Sequence, residues 1–149
     1  MDKLIQLLAA GAGSLGFSLL FNTRGTQLVW ATLGGFLSWS VYLAAFEFLP
    51  SDPICYSLAA VLLTIYAEIM ARLHKTPVTV YLVAGTIPLI PGASLYRTMS
   101  SAVAGEAQAA LRYGVTTLLL AASIAAGILA CMVLWNIGML AAGRLHRKS

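Results

Sequence analysis

Apolar residues run through this chain in five long blocks, with the polar residues gathered between them. A block of about 20 apolar residues matches a helix that crosses the hydrocarbon core of a bilayer. The blocks predict spans at 4–21, 27–48, 54–73, 78–104 and 113–142. Turn chemistry separates them: Asn22, Thr23, Arg24 and Gly25 after the first, Pro50-Ser51-Asp52-Pro53 after the second, and Pro77 at the first turn of the fourth. The expected fold is all-α, a polytopic membrane protein of about five transmembrane helices forming a single transmembrane domain over residues 1–149.

The fourth block differs from the others. It contains Thr86-Ile87-Pro88-Leu89-Ile90-Pro91-Gly92-Ala93-Ser94-Leu95-Tyr96-Arg97. Each proline removes a backbone donor and clashes with the preceding turn, so a continuous helix cannot pass. Within a bilayer the freed backbone groups need other protein groups or a water-filled cavity. Two readings stay open: a broken span of the kind that forms transporter binding sites, and a kink that merely shapes a bundle.

Small residues mark the packing faces. Ala9 and Gly13, Ser14 and Ser18, and Ala12 and Gly16 recur four apart in the first block, a spacing that permits close helix contact. Ala10-Gly11-Ala12 gives this block a superficial likeness to a secretory signal, but the small residues fall inside the apolar run rather than after it, so it reads as a span. Gly34-Gly35 and Ser38 lie near the middle of the second span, Trp39 and Tyr42 towards its end as interfacial aromatics. The fifth is rich in Ala and Gly and reads as packed on more than one side, followed by a basic tail at 143–149.

Composition agrees with this pattern. The chain of 149 residues is 60% hydrophobic and 9% charged, against about 25% charged in an ordinary soluble domain. The net charge of +4 does not indicate nucleic acid, because the basic residues sit at the ends of apolar runs and form no face interleaved with aromatics. Cys55 and Cys131 match no metal spacing and read as free packing residues, and His74 and His146 have no second ligand nearby. No metal or other cofactor is implied.

Charge placement orients the spans. If the broken block crosses once, Arg24, Arg72, Lys75, Arg144, Arg147 and Lys148 share one side, leaving Lys3 and Arg112 opposite. If it re-enters, the bias vanishes. The positive-inside rule therefore favours a full crossing, with the N-terminus outside and the C-terminus cytoplasmic. No internal repeat is visible, so an inverted-repeat partner would come from another chain.

A full crossing puts the break near mid-membrane. The second half-helix would begin near Gly92 or Ala93, and its free amides would favour a carboxylate. Ser94 either caps those amides or contacts the ligand, while Thr86 faces the break from the other side. Arg97 either attracts an anion into the pathway or pairs with an outer acid such as Glu47. Glu68 is the carboxylate placed inside an apolar run, where an acid is a candidate for proton coupling. Its alternative is an interfacial ion pair with Arg72, four residues later. Glu68 and Arg97 fall at different depths and no nucleophile, base and oxyanion set converges, which argues against an enzyme.

The chain resembles the threonine/serine exporter family, in particular its small all-membrane subunit, over nearly its whole length. The resemblance rests on Leu20-Phe21-Asn22, Leu33-Gly34-Gly35 with Trp39 and Tyr42, Ala71-Arg72 followed by Pro77, and above all Ile87-Pro88-Leu89-Ile90-Pro91-Gly92 with Tyr96. Thr23-Arg24-Gly25 departs from relatives that commonly have proline in that turn. The resemblance implies a secondary transporter of the bacterial inner membrane, exporting small amino acids (threonine, serine) or small dicarboxylates such as succinate. It also implies proton coupling and a larger companion subunit. Pro88, Pro91 and Gly92 would form the break, with Ser94, Tyr96 and Arg97 as further pathway candidates. A homo-oligomer, and a non-transporting assembly subunit whose partner carries the substrate, are the competing arrangements.

Overall fold

The computed structural model describes residues 3–146, with side chains as far as residue 138. The basic tail beyond residue 146 and the side chains of Arg144 and His146 lie outside that range. The chain forms α1 (Lys3–Leu20), α2 (Thr26–Phe48), α3 (Asp52–His74), α4 (Thr79–Thr86), a single 3-10 turn at Ile87–Leu89, α5 (Gly92–Val103) and α6 (Ala107–His146). Among the described residues four helices are long and apolar enough to cross a membrane, and α4 with α5 forms a pair bent by 52° that makes a fifth where it is counted as one span. The expected all-α membrane fold is the observed one.

Three helix ends close by the same device. Asn22, Lys75 and Gly105 adopt positive φ, and the next residue's amide reaches back to Ser18, Ala71 and Ser101 respectively at 2.9 Å. This is the left-handed cap that uses the orphan carbonyls of a helix end. At Asn22 the amide side chain also accepts from Arg24 Nε at 2.9 Å, so the Thr23-Arg24-Gly25 turn is held without proline. The last of the three caps corrects a boundary. Residues 105–112 read as a polar connection, yet α6 starts at Ala107, because after Gly105 no breaker occurs and one arginine does not stop a helix.

Side-chain contacts set the helix directions. Lys3 pairs with Glu47 and Ser14 packs on Gly35, so α1 and α2 are antiparallel. Tyr42 donates to Asp52 at 2.8 Å and Tyr66 to the Trp30 carbonyl at 2.7 Å, which makes α2 and α3 antiparallel. Gly127 of α6 lies on the Ser57 carbonyl and Ala60, and Trp135 lies 5.4 Å from the Arg72 guanidinium carbon. α3 and α6 therefore run the same way. The segment between these two parallel neighbours carries the chain back from the end of α3 to the start of α6, and α4 and α5 do so as a pair bent at the break.

Lipid offers apolar side chains little reason to leave it, so such a bundle is held by close packing and internal hydrogen bonds. The buried centre is built accordingly from small residues: Ala59, Ala60, Ala67 and Ala71 of α3, Ala31, Gly34, Gly35 and Ser38 of α2, and Ala10, Ser14 and Ser18 of α1. Larger fully buried side chains, Leu63, Tyr81 and Leu89, fill the space around α4. Of the small-residue pairs in α1, Ser14 and Ser18 face α2, whereas Ala12 and Gly16 are exposed. Trp39 and Tyr42 stack at 4.7 Å, and the Tyr42 hydroxyl ties this pair to the start of α3.

Candidate functional site

The break sits where α4 enters the bundle. α4 packs on α2, α3 and α1, whereas α5 departs and packs on α6. Pro88 cannot donate to the Ala84 carbonyl and Pro91 cannot donate to that of Ile87. The latter is recovered within the turn, since Ile90 donates to Ile87 at 3.2 Å. One turn earlier, the fully buried Ser38 hydroxyl lies 2.8 Å from the Gly85 carbonyl and 2.9 Å from its own Gly35 carbonyl. A neighbouring helix thus supplies the donor that an interrupted helix needs in a membrane.

Close approach makes that bond possible. A Cβ on Gly85 would stand 2.4 Å from Leu63 Cδ1, and one on Gly35 would stand 1.7 Å from Ser14 Oγ and 3.5 Å from Pro88 Cγ. Gly35 therefore lets α1 and the proline break meet the same side of α2. This places the break opposite Gly35 to Trp39, near the middle of α2.

The predicted pathway residues divide into two groups. Thr86 turns back on its own helix, donating to the Val83 carbonyl at 2.8 Å. Gly92 opens α5, and no side chain caps the helix. Ser94 accordingly does not cap it; its carbonyl accepts from Thr98 at 2.8 Å. Arg97 does not pair with Glu47, which is taken by Lys3; its guanidinium lies over the Tyr113 ring at 5.7 Å. Tyr96 is exposed.

The polarity of α5 is inverted relative to a helix in water. Ser94, Thr98 and Ser101 recur on the less exposed side, with Thr98 against Gly114 of α6, while Leu95, Tyr96, Met99 and Val103 are exposed. In hydrocarbon this is the favourable arrangement, because the polar groups find protein partners and the apolar ones meet lipid. Thr98 and Thr117 both donate back to carbonyls four residues earlier, at 2.8 Å each.

Glu68 stands apart from the break. It lies on the face of α3 towards α6, whereas Leu63 on another face meets α4. Glu68 and Arg72 form the expected i to i+4 pair at 3.5 Å, the carboxylate side chain 12% exposed and the guanidinium 46%. The pair is covered by Trp135 on the arginine side. Cys55 and Cys131 are free and buried, on α3 and α6 respectively. His74 lies between the Trp30 and Tyr81 rings, with Nδ1 3.0 Å from the Met70 carbonyl.

Two residues beside the break had no place among the expected pathway positions: Gln6 on α1 and Trp39 on α2. Both line a groove with Ile87 and Pro88. A lone glutamine inside the first apolar block was the available signal for Gln6; nothing in the sequence joins it to a segment some 80 residues away.

A multi-pass helical bundle with one interrupted span is an arrangement that membrane carriers use. The threonine/serine exporter (ThrE) family profile matches residues 6–134, and the chain belongs to that family. It is a family of membrane transporters, not of enzymes, and the match takes in every span of the described fold. No curated protein and no solved structure matches the chain.

Proposed function

We propose that this chain exports threonine and serine, or a small dicarboxylate such as succinate, across the bacterial inner membrane. It works as one half of a proton-coupled secondary transporter whose other half is a larger companion subunit, with its N-terminus outside and its C-terminus in the cytoplasm. The observation that carries the reading is the break itself. α5 begins at Gly92 without a side-chain cap; the Gly92 amide is taken by the Ile90 carbonyl at 2.7 Å and that of Leu95 by Pro91, so the Ala93 and Ser94 amides and the positive end of the dipole are what the helix offers a substrate carboxylate. In this reading Thr86, Pro88, Pro91 and Gly92 shape the pathway, and Ser94, Tyr96 and Arg97 border its outer half.

Glu68 is the carboxylate proposed for proton coupling. Its low exposure within α3 supports that role, and a proton taken up there would remove the charge that faces Arg72.

The test is efflux of threonine, serine and succinate, one at a time, from loaded cells carrying this chain, its companion, or both. Efflux with both only is the expected result. Efflux from this chain alone would point to a homo-oligomer, and no efflux in any arrangement, with both proteins in the membrane, would leave an assembly subunit as the better description. Ser94→Ala and Arg97→Ala should lower efflux while leaving complex formation intact.

A further inference from the structure

Where α5 turns into α6 lies an open cavity of about 810 Å³, walled by Glu106, Ala107, Gln108, Ala109, Arg112 and Tyr113. Two opposite charges line it without meeting. Glu106 stands at the turn and Arg112 six residues on, about 9 Å further along at 1.5 Å per residue. Among the described residues neither side chain forms an ion pair or a hydrogen bond, and the Gln108 side chain forms none either. Tyr113 is engaged by Arg97 of α5, whose guanidinium lies 5.7 Å from the ring centre, and Arg97 itself does not line the cavity. Val103 and Leu111, on either side of the turn, are exposed, so the surroundings are apolar. An arginine inside a membrane-spanning hairpin calls for an anion. The acids at the neighbouring helix ends are already engaged, Glu47 with Lys3 and Asp52 with Tyr42.

We propose that this cavity binds the headgroup of a phospholipid that carries a primary amine, with the phosphate on Arg112 and the ammonium on Glu106. The charges of such a headgroup are ordered along the membrane normal, the phosphate next to the glycerol and the amine at the water end. The hairpin offers the matching order, its arginine towards the hydrocarbon and its carboxylate at the turn. The long arginine side chain reaches back towards the interface while its stem stays in apolar surroundings, and the Gln108 amide adds donors for the remaining phosphate oxygens. Leu111, Val115 and Leu118 are exposed one turn apart on α6 and give the acyl chains a face to lie on. A lipid with an anionic headgroup and no amine would leave Glu106 facing a like charge. A trimethylated amine would give the carboxylate no N–H to accept from. Only the primary amine satisfies both side chains. The proposal uses neither the break nor Arg97, so it stands independently of the export reading.

The test is native mass spectrometry of the full chain released from nanodiscs made of equal parts phosphatidylethanolamine, phosphatidylglycerol and phosphatidylcholine. The unmodified chain should retain phosphatidylethanolamine about three- to fivefold over each of the other two, the scale of one solvent-exposed ion pair. Glu106→Gln should keep a bound lipid but lose the preference over phosphatidylglycerol. Arg112→Gln should lose the retained lipid of every class, and Arg112→Lys should restore it in part. Both positions are exposed, so these changes should leave the fold intact. Free phosphoethanolamine or threonine, added in excess, should leave the bound lipid in place; displacement by either would make the cavity a solute site and overturn the lipid reading. Equal retention of the three lipids by the unmodified chain, or an unaltered preference in Glu106→Gln, would overturn it as well.

Discussion

The Ser38 hydroxyl donates to the Gly85 carbonyl across 2.8 Å, joining two helices 47 residues apart at the level of the proline break. It gives a carbonyl one turn before Pro88 a donor from the neighbouring helix. Ser38→Ala should lower the thermal unfolding midpoint, at a cost of about 1–3 kcal/mol for an unsatisfied buried acceptor. The variant should still insert and reach the membrane. An unchanged midpoint, measured in nanodiscs, would mean that the carbonyl finds another donor.

Glycine contacts rank by what stands in the way. At Gly127 an added Cβ would stand 2.6 Å from the backbone oxygen of Ser57, whereas at Gly35 the obstacle is the Ser14 side chain. Backbone cannot turn aside, so Gly127→Ala must push α6 off α3 and should cost more than Gly35→Ala combined with Ser14→Ala. Overpacking of this kind costs about 1–3 kcal/mol. Paired unfolding measurements on the two variants give the order directly, and the reverse order would contradict the parallel α3 and α6 contact.

The 52° bend between α4 and α5 is a property of two prolines and a glycine. Replacing Pro88 and Pro91 together by Ala restores two donors and removes two clashes. The fourth span should then straighten, and spin labels at the exposed positions Val83 and Val103 should move apart in pulsed electron-resonance distance measurements. Efflux should fall sharply in a protein that remains folded. Wild-type efflux from a straightened span would show that the break serves packing only.

Glu68→Gln keeps the shape of the side chain and removes its charge. If Glu68 carries the coupled proton, efflux by the variant should lose its dependence on an imposed pH gradient, while a gradient of substrate alone still drives transport. A purely structural pair would instead show as a small loss of stability, about 1 kcal/mol or less, with the pH dependence intact. Efflux from vesicles with and without a pH step distinguishes these outcomes.

The legible part of this protein is the part written in local chemistry. Long apolar blocks state that segments lie in a bilayer, because backbone groups there must be satisfied within the segment. Pro88, Pro91 and Gly92 state where a helix cannot continue, because ring geometry acts within one turn. Glu68 and Arg72 pair four residues apart on one helix. The families of residues that carry the exporter resemblance are likewise short and local.

What the chain order leaves open is which surfaces meet. For Ser94 the sequence leaves a cap or a ligand contact, and for Arg97 an anion in the pathway or a pair with Glu47; α5 is uncapped and Glu47 is bonded to Lys3, so the cap and the Glu47 pair are the alternatives that fall. The pairing of α5 with α6, which turns Ser94, Thr98 and Ser101 inward and Leu95 and Met99 outward, depends on a hairpin closed by Gly105. Likewise the bond from Ser38 to Gly85 and the groove between Gln6 and Pro88 exist only because Gly35 admits Ser14 and the break together. Sequence by itself determined the membrane-spanning blocks and the point of interruption, since both follow from forces acting within a few residues. Only the tertiary structure decided which polar groups are satisfied and which remain unpaired, since a hydrogen bond depends on distances between helices far apart in the chain.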